Sequence, residues 1–184
     1  MFFSLIEKRR SIRKFLNQPI EPKKIEKIME AALRAPSSRG FNPWEFITIT
    51  DPHVLKQLSR SKPHGSSFLK NAALGIVVLA DEQKCDVWVE DASIASIFIQ
   101  LAAQALDLGS CWIQIRNRMY DDSISAEEYI RGLLEIPDHL RVESIIAIGY
   151  PDQKLPAHTK QTLQYEKLYL NRYQNPLPIE QEEK

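Results

Sequence analysis

The stretch from Glu90 to Leu108 sets the terms for the rest of this chain. It is apolar nearly all the way round a helix, interrupted by Ser93, Ser96, Gln100, Gln104 and Asp107. Such a helix belongs at the centre of a fold or at a subunit interface, because no side of it suits water. The polar interruptions argue against a membrane span. Gly109 follows where a helix end calls for a left-handed residue. With 184 residues the chain is long enough to bury such a helix in one domain.

The remaining elements follow from caps and periodicity. Ser4-Leu5-Ile6-Glu7 has the spacing of a capping box, with its helix ending near Arg9 or Arg10. Pro22 suits the first position of a second helix, in which Ile25, Ile28, Met29 and Ala32 share a face and which Pro36 closes. Trp44 to Thr50 reads as a strand, Asp51-Pro52 as the start of a short helix through Leu58, and Leu74 to Ala80 as a strand covered on both faces. Cys111 to Ile115 and Val142 to Ile148 are two more strands. Between them Ser125-Ala126-Glu127-Glu128 is a second capping box, whose helix stops at Ile136-Pro137. Leu163 to Tyr173 is a short helix or an extended arm. Residues 1–175 read as one domain without repeats or linkers, and 176–184 as an exposed acidic tail.

Composition excludes some functions. Lys plus Arg number 24 and Asp plus Glu number 24, so no broad basic surface is available for nucleic acid. Any anion site must be a local cluster. Cys85 and Cys111 form neither a disulfide framework nor, with His53, His64, His139 and His158, a metal-binding spacing. The expectation is a cytoplasmic protein with reduced thiols. The N-terminus lacks the basic leader and cleavage site of a secretory signal.

One local cluster stands out. Arg9-Arg10-Ser11-Ile12-Arg13-Lys14-Phe15 gathers three guanidinium forks, an ammonium and a hydroxyl after the first helix. Arg donors match phosphate oxygens in pairs, and Ser adds a short donor. Basic residues at a helix end also answer the helix dipole with no ligand present, so residue types alone leave both readings open. Cys111 reads as a packed, inert thiol and His64 and His158 as surface residues. Glu90-Asp91 is either a functional carboxylate pair or an ordinary acidic helix start.

Taken with Ala35-Pro36-Ser37-Ser38-Arg39-Gly40-Phe41-Asn42-Pro43-Trp44, the basic cluster resembles the N-terminal signature of the nitroreductase family. The resemblance continues in order through Leu106 to Arg116 and Ile145 to Pro151. It implies an α+β fold: a mostly antiparallel central sheet flanked by helices, with the long helix buried at the centre. It also implies a homodimer holding FMN between subunits. Arg9, Ser11 and Arg13 would grip the phosphate, with Arg10 near the ring or polyol chain. Pro36, Ser37 and Ser38 would line the flavin bound mainly by the other subunit, and Asn42 would hydrogen-bond it. A backbone N–H near Gln114 or Ile115 would point at the flavin N5. Lys160 would complete the phosphate site, and His64-Gly65-Ser66 would face the pyrimidine edge. This chain departs from many relatives at Gly40 and Asn42, where they carry Asn and Gln, and at Gln114-Ile115, where they carry an acidic residue and Gly.

The activity implied is that of an FMN-dependent oxidoreductase. NADH or NADPH would reduce the flavin, and a small acceptor such as a nitroaromatic or quinone would reoxidise it by ping-pong turnover. The chemistry sits on N5, so no catalytic side chain is expected. The segment from Arg116 to Ser125 is too short for a covering insertion, which predicts an open site. Two other readings are a flavin-binding carrier or sensor without nicotinamide-linked turnover, and a flavin-destroying or dehalogenating enzyme.

Overall fold

The computed structural model describes residues 2–179. In chain order the elements are α1 (Phe2–Lys8), α2 (Pro22–Leu33), β1 (Trp44–Ile49), α3 (Pro52–Leu58), β2 (Leu74–Asp81), α4 (Trp88–Ala105), β3 (Gly109–Gln114), α5 (Ala126–Leu134) and β4 (Leu140–Gly149). The strands form one sheet in the order β1-β2-β4-β3, and every neighbouring pair is antiparallel. Two apolar layers sandwich it. Residues of α3 and α5 pack on one face around Leu55, Leu58, Ile113, Ile130 and Ile145. Those of α2 and α4 pack on the other around Ile28, Ile76, Ile99 and Ile146. With both faces covered, the central strand β2 is buried along its whole length. This is the α+β architecture that the resemblance implies.

Local chemistry explains several boundaries. The Asp51 side chain caps α3 by accepting the His53 N–H at 2.7 Å. Ser125 and Glu128 make a reciprocal capping box: the Glu128 N–H donates to Ser125 Oγ at 3.0 Å and the Ser125 N–H to Glu128 Oε2 at 2.7 Å. The Ser4–Glu7 box is different. The first helix already runs from Phe2, so Ser4 lies inside it and caps nothing.

The long helix begins two residues earlier than expected and ends at Ala105. The left-handed position after it belongs to Asp107, at φ 60°, and not to Gly109. A Leu108 N–H bond to the Ala103 carbonyl at 2.9 Å closes that end. Gly109 instead opens β3, where a Cβ would stand 2.8 Å from the Ile12 side chain. Its smallness serves a close approach.

The sheet and its nearest helices cover only half of α4. Asp91, Ala92, Ala95, Ser96, Ile99 and Ala103 are buried. On the opposite face Ile97 is 37% exposed, and Ile94, Phe98 and Leu101 are half-buried. After β4 the described residues form no further helix or strand beyond short 3₁₀ turns and a bridge between Tyr169 and Pro176. It forms an extended arm carrying Leu163, Leu168, Tyr169 and Tyr173 in solvent-exposed positions. Of the acidic tail, residues 180–184 lie outside the described residues.

Candidate functional site

The segment after α1 runs along the outer edge of β3, which is an edge strand. Ser11 bridges Ser110, and the Ile12 N–H donates to the Ser110 carbonyl at 2.9 Å. Two apolar side chains pin it. Ile12 seats against Gly109 and Phe15 against Gly149, where any Cβ would come within 2.8 Å. Ile12 and Phe15 are buried in the core, while Arg9, Ser11 and Arg13 lie close enough to the buried thiol of Cys111 to act on it electrostatically. Burial pushes that thiol up, against the opposing pull of Arg13, Ser11, Arg9 and Lys62. The thiol stays protonated and inert, as its place in a buried strand suggests.

Arg10 goes elsewhere. Its guanidinium donates to the Pro156 carbonyl, and with Lys8, Asp107 and Lys154 it lines a separate cavity of about 320 Å³. The expectation of Arg10 near a ring or polyol does not fit that placement. Arg13 donates its N–H to Gln153 Oε1 at 3.2 Å, and its guanidinium lies 5.9 Å from the Phe68 ring centroid. Lys160 is exposed on the arm, in the turn Lys160–Thr162, and is not among the groups acting on Cys111.

Lys62 is the cation that sequence reasoning missed. Its Nζ donates to the Gln114 carbonyl at 2.8 Å, at the far end of β3. Burial, reinforced by the like charge of Arg118, pushes it below the ordinary lysine range. A single lysine in a polar loop gives no signal; only the folding of that loop against β3 reveals it. In the neighbouring His64-Gly65-Ser66 the first two residues are exposed and the third is turned inward. Ser66 is buried, its hydroxyl donating to the Ser59 carbonyl at 2.9 Å.

The end of β3 decides which backbone donor faces outward. The Ile115 N–H bonds the Glu143 carbonyl at 3.2 Å, so it is spent inside the sheet, against the expectation placed on it. Residues of an antiparallel strand alternate between inward and outward backbone groups. Gln114 shares the phase of Ser110, whose carbonyl takes the Ile12 N–H, and its own carbonyl takes Lys62. The outward donor is therefore the Gln114 N–H. The Gln114 side chain is engaged elsewhere. Its oxygen accepts the Trp112 indole N–H at 2.9 Å, and its amide donates to the Arg116 carbonyl at 3.1 Å. It also meets Glu143 at 3.4 Å, a buried carboxylate that burial pushes up.

The Pro36–Asn42 segment lies at the other edge of the sheet, leading into β1. Ser37 Oγ and Asn42 Oδ1 are 2.8 Å apart, and the Asn42 N–H donates to Ser37 Oγ at 2.9 Å. The Ser38 N–H donates to Asp91 Oδ1 at 2.8 Å. β1 and β3 are opposite edges, three strand spacings of about 4.8 Å apart, and the Arg9–Arg13 segment lies beyond β3. Within one chain the two halves of the expected site do not meet.

Residues 6–62 and 57–150 match the Nitroreductase family. A solved structure of an FMN-dependent nitroreductase from Clostridium difficile R20291 superposes with a TM-score of 0.92. It is 50% identical in sequence and covers 93% of this chain and 99% of its own. A protein of Archaeoglobus fulgidus is 39% identical over 155 residues, covering 82% of this chain and 86% of its own length. An FMN reductase (NADPH) of Bacillus subtilis is 26% identical, covering 87% of this chain and 71% of its own.

Proposed function

The chain belongs to the nitroreductase family, and from that premise we propose how it works as an FMN-dependent NAD(P)H oxidoreductase. The observation that carries the proposal is the group Arg9, Ser11, Arg13 and Lys62 along the outer edge of β3. Among the described residues, none of those cations has a carboxylate within ion-pair distance. They fit a cofactor with an anionic tail and a polar ring edge.

Arg9, Ser11 and Arg13 hold the phosphate, two guanidinium forks and a hydroxyl answering its oxygens. Lys62 offers an ammonium at the Gln114 end of the strand, and the Gln114 N–H is the donor for N5. When bound, FMN would supply the two-electron chemistry that links NADH or NADPH to a small acceptor such as a nitroaromatic or quinone. The chain's own residues bind and orient; no side chain has to act as acid or nucleophile.

The site is complete only in a homodimer. The Pro36–Asn42 loop cannot reach the β3 edge of its own chain, so a second copy brings its Ser37 and Ser38 there. Apolar surface supports that assembly. The outer face of α4, the arm, and Phe2, Phe3 and Ile6 of α1 are exposed in a single chain at levels that a stable monomer rarely tolerates in concert. Both cysteines are free and buried, which suits a cytoplasmic setting, and no helix among the described residues is long and apolar enough to cross a membrane.

The visible spectrum of the purified protein tests this reading. A flavin band should be present, and NADH or NADPH added without oxygen should bleach it. A nitroaromatic or quinone should then restore it. A coloured protein that neither nucleotide bleaches would be a carrier, and the reductase reading would fail.

A further inference from the structure

Asp91 lies in the first turn of α4 but does not act as a solvated acid at a helix start. It is 2% exposed. Oδ1 accepts the Ser38 N–H at 2.8 Å and Oδ2 the Cys85 thiol at 3.3 Å. The loop that Ser38 belongs to is a demanding one. Arg39, Gly40 and Asn42 all hold left-handed backbone, at φ 53°, 68° and 47°, and two of them carry a Cβ. That conformation is unfavourable for L-residues and persists only where surroundings impose it. The Ser37–Asn42 bonds close the neck of the loop but do not fix it to the rest of the molecule. The Arg39–Asp86 ion pair does so only through exposed side chains. Two buried ties remain: at the exit of the loop the Pro43 carbonyl accepts the Asp81 N–H at 2.8 Å, and at Ser38 itself the anchor is the Asp91 carboxylate.

We propose that Asp91 is a positioning residue: by accepting the Ser38 N–H it sets the shape in which Ser37 and Ser38 meet the flavin bound by the partner copy. The proposal rests on the assignment of that loop to the flavin site. It also resolves the two sequence-level readings of Glu90-Asp91 with a third, in which Asp91 acts through a loop and touches no substrate.

Two variants of similar size separate hydrogen bonding from packing. Asp91→Asn keeps an oxygen for Ser38; Asp91→Leu does not. The Asp91→Leu dimer should bind FMN about tenfold more weakly, and Asp91→Asn within about threefold of wild type. The visible circular dichroism of bound flavin should change in the Leu variant alone. Adding Ser37→Ala to Asp91→Leu should weaken binding by less than the product of the two single effects, since both act on one loop. Wild-type FMN affinity in Asp91→Leu, equal damage in both Asp91 variants, or multiplying effects would each overturn the proposal. If Asp91→Leu does not fold, hydrogen exchange at the Ser38 amide of the wild-type protein decides. It should slow when FMN is added, and an unchanged rate overturns the role. Arg9→Ala with Arg13→Ala tells the two levels apart. If that protein keeps its FMN, the flavin site itself is misassigned. If it loses FMN while Asp91→Leu does not, only the positioning role falls.

Discussion

Two populations of cations divide this molecule. Lys24, Arg34, Arg39, Arg131 and Arg141 each answer a carboxylate: Glu21, Glu30, Asp86, Asp138 and Glu82. Arg9, Arg13 and Lys62 answer none among the described residues, although acids and bases are equal in number over the chain. Lack of an ion pair does not by itself single them out, since Arg10, Lys23, Lys56 and Lys70 have none either among the described residues; their gathering along one edge strand does. Lys62 has a lowered proton affinity, chiefly because it is partly buried and secondarily because Arg118 carries a like charge nearby. Paired cations are finished by the fold itself. In the proposed site Arg9 and Arg13, on a segment held by Ile12 and Phe15 against two glycines, and Lys62 would be answered by an anion from outside.

The largest expected effect breaks the unpaired group outright. Arg9→Ala with Arg13→Ala removes two charge-assisted phosphate contacts, each worth roughly 1.5–3 kcal/mol, and should weaken FMN binding on the order of a hundredfold or more. Isothermal titration of the apoprotein checks it. Thermal stability of the FMN-free form should hardly change, because neither side chain satisfies a carboxylate. Flavin retained at wild-type affinity would mean that the unpaired cations serve something else.

A smaller effect comes from Lys62. Lys62→Met keeps the apolar stem and removes the charge at Gln114, and FMN should bind about tenfold more weakly at neutral pH. The sign of the pH dependence follows from the depressed proton affinity. Lys62 loses its charge at a lower pH than a free lysine, so wild-type FMN affinity should fall as pH rises through that range. The Met variant should show no such fall. A parallel decline in both would remove Lys62 from the site.

The halves of this comparison were not equally legible in the sequence. Arg9, Ser11 and Arg13 stand within five positions, so local spacing announces them. The strands and capped helices are legible for the same reason, since periodicity and caps are local signals. Lys62 is legible only after α3 and β3 have met, through a contact 52 positions long. The N–H at the strand end needs the pairing register as well. Gln114 and Ile115 are adjacent, and only the bond from Ile115 to the Glu143 carbonyl shows which of them faces out. Gly109 was misread because a glycine after a helix usually ends it. Here Asp107 accepts the left-handed backbone, and glycine is needed two residues later for Ile12. Arg10 has the same chemistry as its neighbours and differs only in phase along an extended segment. Its chain position puts it opposite Arg9 and toward Pro156.

The smallest expected effect tests whether pairing really sorts the cations. Arg34 lies at the end of α2 with Glu30 one turn before it, the favourable order along a helix, and their nearest atoms are 2.6 Å apart. Both side chains are well exposed, so solvent screens the pair, and such pairs contribute a few tenths of a kcal/mol. Arg34→Ala should therefore lower the melting temperature by about 1 °C. FMN affinity should stay at the wild-type value, because this guanidinium already has its anion. Differential scanning fluorimetry with and without FMN measures both quantities on one sample. If Arg34→Ala weakened FMN binding as much as Lys62→Met does, position along β3 would no longer mark a cation as part of the flavin site.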